Sequence, residues 1–190
     1  MGISRPWPRV EAAVGIETVV KSAPVSGVRF VAVGLDDSLA APLLAELSVE
    51  YSERYGGTPE QMMVWLRGKS AEEFTPPGGG LYIGVLDGMP VTGGAFTRFD
   101  ADTAELKRIW TAVRYRKRGY GRVLLAHLEC EIAARGYRRV YLTTGHLQPE
   151  AEALYDSAGY TRLTAPLPAE GEGTVFPIAF EKQLPGKEPR

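Results

Sequence analysis

Apolar residues recur along this chain in two periods, and the switches between them lay out the elements. Val28–Leu35 ("VRFVAVGL") alternates at period two and reads as a first strand. In "DDSLAAPLLAELSVEYSERYGG" the period changes: Leu39, Leu43, Leu44, Leu47 and Tyr51 share one helical face, and Gly-Gly ends it. "TPEQMMVWLRGKSAEEF" predicts a second helix, with Thr58 as N-cap and Pro59 at the first helical position, where a missing N–H costs nothing. Thr75–Gly80 ("TPPGGG") breaks the chain. "LYIGVLDG" and "PVTGGAFTRFD" are strands joined at an Asp87-Gly88 turn, and Thr103–Val113 continues the antiparallel meander. A helix from about Gly119 to about Gly136 follows, then a strand over Arg138–Gly145. "QPEAEALYDSAGY" is a short helix with Pro149 near its start and Gly159 at its end, and "YTRL" and "TVFPIAFEKQL" are the last strands. The strand–helix–strand portion from Thr103 to Thr144 suits a right-handed parallel crossover. The expected class is therefore α/β, a mixed sheet flanked by helices. One domain spans residues 28–184, between an N-terminal extension over 1–27 and a polar tail over 185–190.

Composition narrows the function classes. The chain has 190 residues, 44% hydrophobic and 24% charged, with a net charge of −1. That is ordinary globular composition, with no bulk attraction to nucleic acid or to an anionic membrane, so neither is expected as a partner. No apolar run approaches the roughly 18 residues of a membrane span. "MGISRPWPRVEAAVG" lacks the apolar core of a secretory signal, and Pro6 breaks the myristoylation pattern, so a cytoplasmic location is expected. The single cysteine, Cys130, excludes an internal disulfide and every multi-cysteine metal site. It is expected as a small core residue of its helix. "HLE" at His127 is similar to the H-x-E of zinc deaminases, but one cysteine cannot complete that site, so no metal is expected. His127 reads as a surface or half-buried residue, while His146, at a strand end, is a candidate to line a cleft.

The candidate chemistry concentrates in "RYRKRGYGRVLLAHLE". From Lys107 to Arg122 there are seven basic residues and no acidic one. Gly119 and Gly121 leave the backbone bare where a helix starts, and a helix start presents unpaired N–H groups and a positive dipole end. Together these suit a diphosphate. Competing motifs fit less well. A Rossmann fingerprint needs a third glycine where "GYGRVL" has Leu124. "MVWLRGKS" has the Gly-Lys-Ser end of a P-loop but Met63 in place of its first glycine, and Gly68-Lys69-Ser70 reads as a helix end and loop.

"RKRGYG" (Arg116–Gly121) resembles the Q/R-x-x-G-x-G/A acetyl-CoA loop of the GNAT superfamily of N-acetyltransferases. "AELKRIWTAVRYRKRGYGRVLLAHLE" resembles the family's fourth strand, loop and third helix, and "EALYDSAGY" its fourth-helix pattern, with Tyr160 in place of Phe. The resemblance runs over about Val28 to Leu184 in element order. It implies a GNAT-like, mostly antiparallel twisted sheet of about six or seven strands with about four helices, its fourth and fifth strands splayed. It implies acetyl-CoA as co-substrate, with backbone groups near Thr111 and Val113 pairing the pantetheine arm. Amides over Arg116, Lys117, Arg118, Gly119, Tyr120, Gly121 and Arg122 would cradle the diphosphate. Gln148 stands where the family often has an Asn or Gln contacting the cofactor, and reads equally as an exposed residue before Pro149.

Amine acylation needs a proton acceptor for the ammonium and a proton donor or dipole for the departing thiolate. Glu105 is the candidate base, eleven residues before Arg116, a spacing that resembles histone-acetyltransferase-like family members. Its other reading is a strand carboxylate paired with Lys107 or Arg108. An amine pKa of about 10.4 against about 4.3 for Glu makes direct transfer uphill unless Glu105 is desolvated or a water carries the proton. Tyr155 is the candidate acid. Ala151, Leu154, Tyr155 and Ala158 follow helical spacing, which puts its ring at the edge of a buried stripe. Its other reading is a packing aromatic. The expected acceptor is a small-molecule or peptide amine, and the expected assembly a monomer or homodimer. Glu46, Glu50, Glu53, Glu60, Glu72 and Glu73 interleave with aromatic residues, which would suit a cationic amine or make an ordinary solvated helix face. A non-catalytic acyl-CoA-binding module is the alternative function.

Overall fold

The computed structural model describes residues 27–68, 71–168 and 176–185. The extension over 1–27, but for Gly27, and the tail after residue 185 lie outside the described residues. The elements follow the periodicity: β1 (Arg29–Ala32), α1 (Ala41–Tyr55), α2 (Pro59–Arg67), β2 (Gly80–Leu86), β3 (Met89–Arg98), β4 (Thr103–Thr111), α3 (Tyr120–Ala134), β5 (Arg139–Thr144), α4 (Pro149–Ser157), β6 (Thr161–Arg162) and β7 (Ile178–Gln183). One seven-stranded sheet has the order β1-β2-β3-β4-β5-β7-β6. Among the described residues only the β4–β5 pair is parallel. Among the described residues no helix is long and apolar enough to cross a membrane.

Local chemistry explains the boundaries. Thr58 opens α2 with a capping box, its side chain accepting from the Gln61 amide while the Gln61 side chain accepts from the Thr58 amide. The second helix is shorter than expected, ending at Arg67 with Gly68 as C-cap, and Ala71–Phe74 forms a separate 3-10 turn. Lys69 and Ser70 lie outside the described residues. β4 stops at Thr111, two residues short of the expected end, because Val113–Tyr115 winds into a 3-10 turn. Gly159 takes φ +81° after α4, a left-handed position that glycine tolerates without strain.

Two apolar layers sandwich the sheet. On one face Leu124, Leu125, Leu128 and Ile132 of α3 pack with Phe96, Leu106, Val140 and Phe180. On the other, Leu43, Leu44 and Leu47 of α1 and Leu66 of α2 pack with Ile83, Ala95 and Trp110. Cys130 falls between the inward residues of α3 and is exposed, which corrects its expected core placement. His127 is half-buried, stacked on Phe30 at 4.1 Å, and desolvation holds its pKa below the usual imidazole value.

Candidate functional site

The site begins where the sheet stops being a sheet. β4 and β5 pair only through Thr103–Arg139, Ala104–Val140 and Glu105–Tyr141. Beyond Glu105 both strands continue but part, and β5 keeps its hydrogen bonds to β7. The parted edge of β4 offers backbone groups to an added extended chain. Glu105, the last paired residue, stands at the vertex.

A bulge reshapes the parted segment of β4. Gly93 opposes Trp110 and Ala95 opposes Lys107, so β4 carries one residue more than β3 across this stretch. The extra residue lies at Arg108, whose φ of +54° is left-handed. Without the bulge, strict alternation after Ala104 and Leu106 would send Arg108 and Trp110 into the apolar α3 layer. With it, Ile109 packs on that layer, Trp110 joins the α1 layer, and the Arg108 guanidinium lies over the Phe74 ring at 4.1 Å and donates to the Leu66 carbonyl.

The turn after β4 runs through left-handed backbone. Lys117 and Gly119 have φ of +59° and +89°. A left-handed residue next to right-handed helical backbone, as at Gly119 and Tyr120, can gather N–H groups around an anion. The first bonds closing α3 are donated by Arg122 and Val123, both to the Gly119 carbonyl. Amides ahead of them have no partner inside the helix. Arg114, Lys117, Arg118 and Arg122 are exposed and have no ion-pair partner among the described residues. Gly121 serves packing: a Cβ there would meet Leu154 at 3.1 Å, so its bareness lets α3 sit against α4. Tyr120 is turned inward and buried.

Several predicted residues are held by partners of their own. Arg116 sends Nε to the Thr111 carbonyl at 3.1 Å and Nη2 to Glu50 at 2.6 Å, so its side chain is spent on the fold and its amide donates to Val113 at 3.3 Å. The Val113 amide donates to Glu46 at 3.2 Å, and the same carboxylate accepts from Trp110 Nε1 at 2.9 Å. Glu105 is ion-paired with Lys107, two residues along the same strand face. A cavity of about 400 Å³ between α1 and the turn is lined by Glu46, Glu50, Val113 and Arg116.

Tyr155 is 5% exposed, its ring against Tyr160 at 5.7 Å and Phe180 at 5.6 Å, and burial pushes its phenol well above the usual tyrosine value. The Tyr51 phenol, pushed up to about 12 by burial, is in electrostatic reach of Tyr155, Arg108 and Tyr55, and Gln148 faces it. Gln148 also accepts from Thr144 Oγ1 at 3.0 Å, at the start of α4. Tyr51 is thus a site residue that the sequence reading passed over as helix core. Its rings' neighbours are Tyr55 at 6.2 Å and Trp65 at 6.0 Å, and Phe176 joins Tyr55 at 5.7 Å. His146 is exposed beside Tyr55, with ring centres 6.5 Å apart.

The family model for acetyltransferases of the GNAT family matches residues 43–160. The chain belongs to the GNAT acetyltransferase family. Solved structures share the GNAT fold at low identity. An acetyltransferase from Streptococcus agalactiae is 17% identical with a TM-score of 0.65, covering 84% of this chain and 99% of its own. The PaiA N-acetyltransferase of Thermoplasma acidophilum, solved with coenzyme A, is 17% identical with a TM-score of 0.62, covering 83% and 99%. A GNAT acetyltransferase from Elizabethkingia anophelis, solved with acetyl-CoA, is 17% identical with a TM-score of 0.57, covering 84% and 99%. No curated protein matches the chain. In this GNAT protein Arg116–Gly121, the segment that resembles the family's acetyl-CoA loop, lies between β4 and the first turn of α3.

Proposed function

We propose that this protein is an acetyl-CoA-dependent N-acetyltransferase that moves the acetyl group directly to a primary amine. The observation that carries the reading is the run of three features along β4: an open edge beyond the last pair with β5, Glu105 at that last pair, and a left-handed turn leading into α3 at the strand's end. The bound co-substrate would supply an acetyl thioester, an electrophile with a stable leaving group. Amides over Lys117–Gly121 would hold its diphosphate, with Arg114, Lys117, Arg118 and Arg122 meeting the outer phosphates. Thr111 and Val113 would meet the pantetheine arm once the Glu46 carboxylate gives up the Val113 amide.

Glu105 takes a proton from the acceptor ammonium, directly or through water, after parting from Lys107. The amine nitrogen forms the new C–N bond, the C–S bond breaks, and its electron pair goes to sulfur. Tyr155 donates its phenolic proton there and is reprotonated from solvent. The raised pKa of its buried phenol keeps that proton in place at working pH. Release of free thiol from acetyl-CoA, followed across a panel of primary amines, tests the reading. Amine-dependent release supports it. Acetyl-CoA binding without release by any amine would favour the non-catalytic module, for which the Glu105–Lys107 ion pair is the structural argument.

A further inference from the structure

Charge accounting on the α1–α2 face of the sheet singles out one side chain. The carboxylates here are engaged: Glu46 by Trp110 and Val113, Glu50 by Arg54 and Arg116, Glu105 by Lys107, and Glu150 by Arg54. Glu46 and Glu50 of α1, which could have formed part of a wall for a cationic amine, are instead ties between elements. Arg108 is the reverse case. It is half-buried, and its hydrogen bond and ring contact go to Leu66 and Phe74 and not to a carboxylate, although the Glu73 carboxylate is near enough to act on its charge. Its contacts are the Leu66 carbonyl, near the C-terminus of α2, and the Phe74 ring. A guanidinium has five N–H donors. Nε is buried without a partner, and no acceptor among the described residues meets Nη1.

Buried cations are normally paired, because desolvation without a counter-charge is costly. A left-handed residue and a bulge nonetheless turn this one onto the α1–α2 face, against Leu66 and Phe74. It lies three residues beyond Glu105 on the same strand, where three residues span roughly 10 Å. Long side chains at both ends can converge on one small molecule across that distance. The Tyr51 phenol is in electrostatic reach of both Arg108 and Tyr155.

We infer that Arg108 binds a carboxylate carried by the acceptor, so that the acceptor class is amino acids, with the amine at Glu105 and the carboxylate at the β4 bulge. This rests on the acetyltransferase reading. The Leu66 bond and Phe74 stack give Arg108 a structural role as well, one that leaves Nη1 for a ligand and Nε for a ligand that displaces what covers it.

The test compares matched acceptors with and without the carboxylate: phenylalanine against phenethylamine, leucine against isoamylamine, lysine against cadaverine. For wild-type protein kcat/KM should favour the amino acid of at least one pair by about 10- to 100-fold, the range of a charge-assisted hydrogen bond. In Arg108→Met the preference should fall to about unity, chiefly through the amino acid's KM, with the KM for acetyl-CoA unchanged. Arg108→Lys, which keeps the charge and a donor for Leu66, should retain a reduced preference. Equal or better use of the decarboxylated amines by wild type would overturn the inference without needing any variant to fold. So would an unchanged preference in folded Arg108→Met. If no amine is turned over, calorimetry with the same amino acids decides separately. Binding to wild type that is lost in Arg108→Met upholds the carboxylate site while the transfer reading fails, and absence of binding overturns it.

Discussion

Replacing Tyr155 with Phe separates its proposed proton from its packing. The ring is 5% exposed and rests on Tyr160 and Phe180, and Phe keeps those contacts. Losing one hydroxyl should cost stability about 1 kcal/mol or less. Losing a general acid typically costs about 10²–10⁴ in rate. A thiolate is a good leaving group, with a free thiol pKa of about 8.5, so the demand for a proton is modest and the lower end applies. We expect kcat to fall about 10²-fold, equivalent to roughly 2.7 kcal/mol of barrier. The KM for acetyl-CoA should stay within about twofold, since the substitution leaves the amide turn alone. The pH profile adds a second signature. Burial raises the Tyr155 pKa, so wild-type kcat should show no loss at the ordinary tyrosine value of about 10. Steady-state thiol release from pH 7 to 10.5 measures both. A folded Tyr155→Phe protein with undiminished kcat would refute the acid role and leave Tyr155 as a packing aromatic.

Three further outcomes concern the scaffold. Thr58→Ala removes the side-chain half of the α2 capping box and should lower stability by about 1 kcal/mol in urea unfolding; an unchanged midpoint would show the cap to be idle. Leu124→Ala empties a fully buried position under the sheet and should cost about 2–5 kcal/mol, read as a fall in Tm, whereas a loss below about 1 kcal/mol would mean that the α3 layer collapses around the gap. Stability should decline as pH rises above about 10, because unfolded tyrosines ionise there while Tyr51, pushed up to about 12, and Tyr155 stay protonated in the fold. Urea midpoints at pH 8, 10 and 11 measure this, and a flat profile would contradict the burial of these phenols.

Most of the elements were legible because their signals are local. Thr58, Pro59 and Gln61 announce α2, Asp87-Gly88 announces the β2–β3 turn, and Gly119 announces the start of α3. The β4 bulge was not read, although a trace of it exists. Ala104, Leu106, Arg108 and Trp110 hold one phase, and a guanidinium does not belong in an apolar layer, so the alternation has to shift before Arg108. Cys130 was misplaced because a helix exposes about half its surface even when its composition is apolar, and 130 lies off the stripe set by Leu124, Leu128 and Ile132. Glu46 and Glu50 were read as part of a wall because their partners, Trp110, Val113 and Arg116, are more than sixty residues away in sequence. Tyr51 carried the same ambiguity: its helical spacing shows that it is packed, and only the tertiary structure brings it into electrostatic reach of Tyr155 and Arg108. Arg116 lies in the loop motif, yet its side chain ties β4 to α1, and motif spacing does not distinguish main-chain from side-chain duty.

The proposed function requires main-chain nitrogens at the end of β4 to grip a nucleotide's diphosphate. Amide NMR of isotope-labelled protein titrated with coenzyme A tests that directly. The largest shifts should fall on the amides of Lys117, Arg118, Gly119, Tyr120 and Gly121, and pantetheine, which lacks the diphosphate, should leave them near their free positions. Shifts centred elsewhere, or equal shifts with pantetheine, would contradict it.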